Sequence, residues 1–140
     1  MTKDSTVFRL WELLMKPATM IGVGLLLLCV WLAFPLLEHL RLVRTESRLA
    51  KSWLAISKTL TTENWKQGYA PLHAIQTMFP EIPTAEDAVI DGWGNPLSIA
   101  ILDTPDRFMI TVTSPGRDHR LGSEDDRRRH GFLHKFEQQW

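Results

Sequence analysis

The hydrophobic pattern changes character twice along the chain. From Ala18 to Leu37 (ATMIGVGLLLLCVWLAFPLL) twenty residues pass without a charge. As a helix rising 1.5 Å per residue, such a run is about 30 Å long, the thickness of a bilayer's hydrocarbon core. A helix apolar on every side rarely fits inside a small soluble domain. A cleavable secretory signal also fits poorly, because the run is long for a signal core and no Ala-x-Ala-like site follows it. Glu38, His39, Arg41 and Arg44 come next. The segment is therefore expected to remain as a membrane anchor.

Past the apolar run a helical period continues. Leu42, Leu49, Trp53, Ile56 and Leu60 recur at three, four or seven residues, with Arg and Lys between them. One helix from Ala18 to Leu60 is expected, roughly 65 Å long, with Pro35 kinking or loosening it. The Thr61-Thr62-Glu63-Asn64 cluster and Gly68 are expected to end it. A shorter helix is predicted over Leu72 to Phe79, its face formed by Leu72, Ile75, Met78 and Phe79, with Pro80 and Pro83 as stops.

From Asp91 the pattern alternates. Leu97, Ile99 and Ile101 fall on one side of a strand, and Phe108, Ile110 and Val112 on one side of the next, with Asp103-Thr-Pro-Asp106 as the turn between them. Two strands alone are marginal, so this antiparallel hairpin needs a helix to pack on. The stripe Leu42, Trp53, Ile56, Leu60 is the natural partner. Beyond the hairpin, His130 and His134 stand four apart, and Phe132, Phe136 and Trp140 would share the face of a terminal helix. No internal repeat or low-complexity segment interrupts this order.

Composition adds constraints more than content. The chain has 140 residues, enough for one domain of ordinary size, and its 16 Lys plus Arg balance 16 Asp plus Glu. No global field favours nucleic acid or an acidic partner. The basic residues flanking the apolar run, Lys3, Arg9 and Lys16 before it and Arg41, Arg44, Arg48 and Lys51 after it, leave its orientation nearly undecided. Cys29, the one cysteine, lies within the run, so no disulfide staples the domain.

The approach to the first strand reads Asp91-Gly92-Trp93-Gly94-Asn95-Pro96. It is followed at a distance by Ser114-Pro115-Gly116-Arg117-Asp118 and then by Gly122-Ser123-Glu124-Asp125-Asp126. In order and spacing these segments resemble major pseudopilins of the type II secretion system. That family carries an Asp-Pro-Trp-Gly-Asn-Pro turn at the start of its hairpin, then a Ser-Leu-Gly-x-Asp segment, a Gly-rich stretch and clustered acids. The matching segments cover about a third of the chain. The resemblance implies an α+β fold, the pilin-like lollipop: a long N-terminal transmembrane helix continuing into a small domain with a short antiparallel sheet. It divides the chain into a cytoplasmic segment 1–17, a transmembrane helix 18–37 and a periplasmic domain 38–140. It further implies a structural subunit of a secretion pseudopilus, single-pass in the bacterial inner membrane. Such a subunit would associate with itself, with other pseudopilins and with secretion machinery subunits, and would take neither nucleic acid nor a small-molecule substrate. Gly22, Gly24 and Ala18 would allow close helix contact within the membrane. The competing class is an accessory, sensor or chaperone protein with a pilin-like outer domain, or a minor pilin of a type IV pilus or DNA-uptake system.

The same resemblance implies calcium as a ligand. Calcium takes six to eight hard oxygens from carboxylates and carbonyls of a flexible loop. Asp118, Asp125 and Asp126 would give carboxylates and Pro115 and Ser123 carbonyls, with Gly116 and Gly122 turning the backbone inward. The competing reading pairs the acids with Arg117, Arg120 and Arg127 to Arg129, a basic run read as a solvated turn or an ion-paired segment. In the Asp91–Pro96 turn, the glycines are expected to take positive φ and Trp93 to fill core. Zinc at His130 and His134 lacks a supporting Cys or a Glu of the HExxH type. Ser114 with His119 lacks any nucleophile elbow, so an enzyme is not expected.

The N-terminus departs from the family pattern. Pseudopilin precursors are cut after a Gly that precedes Phe, with Glu four residues later. Here Phe8 and Glu12 keep that separation, but Val7 stands where the Gly should be. A peptidase that needs a small residue at the cut should leave this chain intact. The expected intact mass is that of a protein beginning at or next to Met1; a species beginning at N-methylated Phe8 would overturn this.

Overall fold

The structure, a computed structural model, describes residues 16–135. The Phe8 to Glu12 match and the positions of Phe136 and Trp140 lie outside the described residues. The fold is α+β, and the chain divides into two compact units, Met1–His39 and Leu40–Trp140.

Helix α1, Pro17–Thr59, runs for 43 residues with Pro35 inside it. Every side chain from Lys16 to Leu37 is exposed, although most are large hydrophobics. In length and apolarity this stretch could cross a membrane. From Leu40 onward α1 belongs to the second unit, where Thr45, Leu49, Ser52, Ala55 and Ile56 are buried. Thr61 both follows this helix and starts the next. Its hydroxyl accepts from Asn64 N at 3.2 Å and the Asn64 side chain accepts from Thr61 N at 2.8 Å, a capping box that opens helix α2, Thr62–Lys66. Helix α3, Pro71–Met78, carries Ala74 and Ile75 inward, with Pro71 in its first turn where no amide partner is needed.

A small hairpin follows, β1 (Thr84–Ala85) paired with β2 (Ala88–Val89). Its turn residues Glu86 and Asp87 both have positive φ, 48° and 64°, the two-residue geometry that matches strand twist. The main sheet is antiparallel, in the order β3 (Ser98–Asp103), β4 (Arg107–Ser114), β5 (Arg127–His134). The expected hairpin is present as β3 and β4. β4 alternates cleanly: Phe108, Ile110 and Val112 are fully buried and meet Leu49, Ile56, Leu60, Ile75 and Leu97 in one core. The Trp65 ring meets Phe108 edge-on at 5.7 Å.

β5 corrects two expectations. The segment around His130 and His134 is strand, not helix, and Arg127 to Arg129 are strand residues, not a turn, with Arg128 ion-paired to Asp126. The physical reason lies in the helix it faces. β5 offers little apolar surface of its own at Gly131, and the ring of Trp53 fills that place so closely that a Cβ there would stand 2.5 Å from its Cζ2. The Arg129 guanidinium lies 5.7 Å from the same ring, and Arg107 lies 4.6 Å from the ring of Phe132. Arginines stacked on aromatic rings thus support a strand that its charges alone would not suggest.

Candidate functional site

The two motif segments meet at a buried carboxyl group. Asp91 is 1% exposed, and its side chain accepts four hydrogen bonds. Oδ1 takes the backbone N–H groups of Trp93 at 2.9 Å and Asn95 at 2.8 Å; Oδ2 takes Asn95 Nδ2 at 3.2 Å and Ser114 Oγ at 2.6 Å. The first two close the turn upon itself, as a short acidic side chain does when it bonds amides two to four residues on. The last two reach the far loop, where Asn95 Nδ2 also donates to the Gly116 carbonyl at 2.7 Å and Gly116 N donates back to Ser114 Oγ at 3.1 Å.

Helix α1 grips the same turn. Arg48 Nη1 donates to the carbonyls of Ile90 at 2.8 Å and Asp91 at 2.5 Å, and Gly92 N donates to Thr45 Oγ1 at 2.8 Å. Gly92 is required by this approach and not by φ: a Cβ at that position would stand 2.1 Å from the Arg41 carbonyl oxygen. That refines the reading of the turn, in which Gly94, at φ 90°, does take the left-handed conformation. Trp93 is half-buried and lies outside the core, contrary to expectation.

The loop from Ser114 to Asp126 brings several of the expected calcium residues together. Ser123 Oγ donates to Asp125 Oδ1 at 2.5 Å and lies 3.4 Å from Asp126 Oδ1, so it bridges two carboxylates. Asp125 Oδ2 accepts from Asp118 N at 2.9 Å, closing the loop across seven residues, and Asp126 Oδ2 accepts from Gly122 N at 2.7 Å. Gly116, at φ 69°, packs so tightly on Asp125 that a Cβ would come within 2.4 Å of its carbonyl oxygen. The Asp125 carboxyl is lowered to about 2, first by the Ser123 hydrogen bond and then by the Asp118 amide, so it is ionised throughout the physiological range.

Asp118 stands apart, its own carboxylate accepting from Arg120 N at 2.9 Å. Pro115 is buried beside Ser114. Among the described residues no three His, Cys, Asp or Glu side chains converge as a metal-holding group. The anticipated pairing of the loop acids with arginine is slight: among the described residues it is seen between Arg128 and Asp126, at 3.4 Å. His130 and His134, four residues apart along an extended strand, are separated by about 13 Å, too far to share a zinc ion. Ser114 is bonded to Asp91, and His119 Nδ1 to Asn95 Oδ1, so these two form no nucleophile–base pair.

Arg48 and Thr45 are the residues of this site that sequence reading passed over. Their spacing of three places them on one helix face, but nothing in the pattern says which backbone they meet. No family model matches the chain, and no curated protein or solved structure matches it. The site is thus defined by its geometry: a long helix, apolar at its start, whose later turns are pinned to a sheet through a buried turn and a closed acidic loop, an arrangement compatible with a pilin-like fold.

Replacing Asp91 removes the acceptor of four donors. Each buried donor left unpaired costs about 1–3 kcal/mol, so Asp91→Ala should destabilise the domain by about 3 kcal/mol or more, with Asp91→Asn falling between it and the parent. Thermal unfolding of the full chain in neutral detergent micelles, followed by near-ultraviolet tryptophan signals, checks the order.

Proposed function

We propose that this chain is a membrane-anchored structural subunit of a type II secretion-like pseudopilus, involved in protein secretion, with residues 18–37 in the bacterial inner membrane and the sheet domain in the periplasm. The observation that carries the reading is the convergence of the Asp91–Pro96 turn and the Ser114–Asp118 segment on one buried carboxyl group. These segments carry the resemblance to major pseudopilins, and their mutual bonding gives the shared residues a common structural purpose. The exposed apolar stretch of α1 supports the anchor. A subunit role asks nothing of a catalytic centre: the helix packs among its neighbours in the membrane while the outer domain presents a fixed surface.

Crosslinking in intact membranes tests this. A ladder of multimers is expected from a subunit that assembles; a single unladdered band would reject assembly and favour an accessory or sensor protein with a similar outer domain.

Calcium is the proposed ligand of the 114–126 loop. Asp125 and Asp126 supply hard oxygen donors already drawn together by Ser123, the class of donor that calcium takes. Asp118 and the Pro115 and Ser123 carbonyls are the further donors that the resemblance assigns. A cation that binds the folded loop alone would stabilise it by about 1.4 kcal/mol at ten times its dissociation constant. Melts of the full chain in micelles with millimolar calcium and with chelator should therefore differ by several degrees; identical melts would remove calcium from this proposal.

A further inference from the structure

A second charged feature lies on α1 away from the acidic loop. Arg44, Arg48 and Lys51 are spaced four and three apart, so they share one helix face, with Ser47 among them. They line an open cleft of about 280 Å³, walled on the other side by Ile82 and its neighbours. The three cations are not equally provided for. Lys51 has Glu81 at 2.6 Å and the face of the Phe79 ring at 5.5 Å. Arg48 has two backbone carbonyls, which hold its guanidinium in place but carry no charge. Arg44 forms no ion pair among the described residues. The cleft therefore holds three positive groups and one carboxylate, Glu81.

This arrangement carries an electrostatic cost that the fold relieves only in part. Burial pulls the Arg48 pKa down, and the nearby Arg44 guanidinium pulls it further, with Asp91 acting in the opposite sense. Like charges four apart on a helix repel. An anion seated between Arg44 and Arg48 would turn that repulsion into attraction for both. Guanidinium forks match the paired oxygens of a phosphate, and the Ser47 hydroxyl adds a donor beside them. Val43 and Ile82 give the same cleft an apolar side, which suits an anion bearing an uncharged organic part.

We propose that this cleft binds a phosphate-bearing anion, its phosphate held by Arg44, Arg48 and Ser47 and its apolar portion against Val43 and Ile82. Lys51 stays with Glu81 and sets one border of the site. The same chemistry is offered by a phospholipid head group and by a free phosphate, and the two are separable by experiment.

The full chain in neutral detergent micelles at constant ionic strength is melted with dihexanoyl-phosphatidylglycerol and, separately, with inorganic phosphate. A rise of several degrees in Tm is expected with the lipid probe. If phosphate alone gives the same rise, the phosphate group suffices; if only the lipid does, the apolar wall contributes and a head group is the ligand. Either rise should vanish in Arg44→Gln and persist in Arg120→Gln, an exposed arginine outside the cleft. Absence of any rise in the parent chain, or a rise of equal size in Arg44→Gln, would overturn the proposal.

Discussion

A single carboxyl group sets the relative position of three segments far apart in sequence. Asp91 is almost wholly enclosed, and each of its oxygens is bonded twice. α1 and β4 share one hydrophobic core with their neighbours, but apolar burial has no preferred direction. Direction comes from the polar turn. Through Arg48 and Thr45 the turn is tied to the helix, and through Ser114 and Asn95 it is tied to the loop after β4. A buried polar network of this kind is costly when partly satisfied and specific when complete. Here the bonds reach completion because Gly92 lets the backbone lie against α1 without a side chain in the way.

Much of this was legible in the sequence where one period governs a long stretch. The uncharged run, the helical repeat of Leu49, Trp53, Ile56 and Leu60, and the alternation of Phe108, Ile110 and Val112 each extend over enough residues to declare themselves. What escaped depends on contacts between segments. β5 carries Arg129 and Gly131 at positions where alternation would ask for apolar residues, and only the position of Trp53 explains them. The hairpin at Glu86 and Asp87 has non-glycine residues in the left-handed region, against the usual preference for Asn and Gly. Thr61 was visible as a boundary but not as a cap, since the next helix has five residues and too little pattern to declare itself.

The candidate site was legible by composition and opaque in detail. Asp118, Asp125, Asp126 and Ser123 do belong to one closed loop, and its acids make little use of the arginines around them. Instead the arginines of the domain go to different partners, Arg48 to carbonyls, Arg107 and Arg129 to aromatic rings, and Arg128 to Asp126. Sequence counts treat all of them as one balanced charge. In the folded chain these four are engaged in packing or bonding, with partners of different kinds.

The position of Cys29 has a consequence for how the domain reaches its native state. The thiol sits in the apolar stretch of α1, and residues 40–140 contain no other. No mispaired sulfur can trap the sheet domain as it folds, and no oxidant is needed to finish it. Changes in redox potential therefore leave its stability unaltered. Stability rests on side-chain packing and on hydrogen bonds, with no covalent crosslink to add to them.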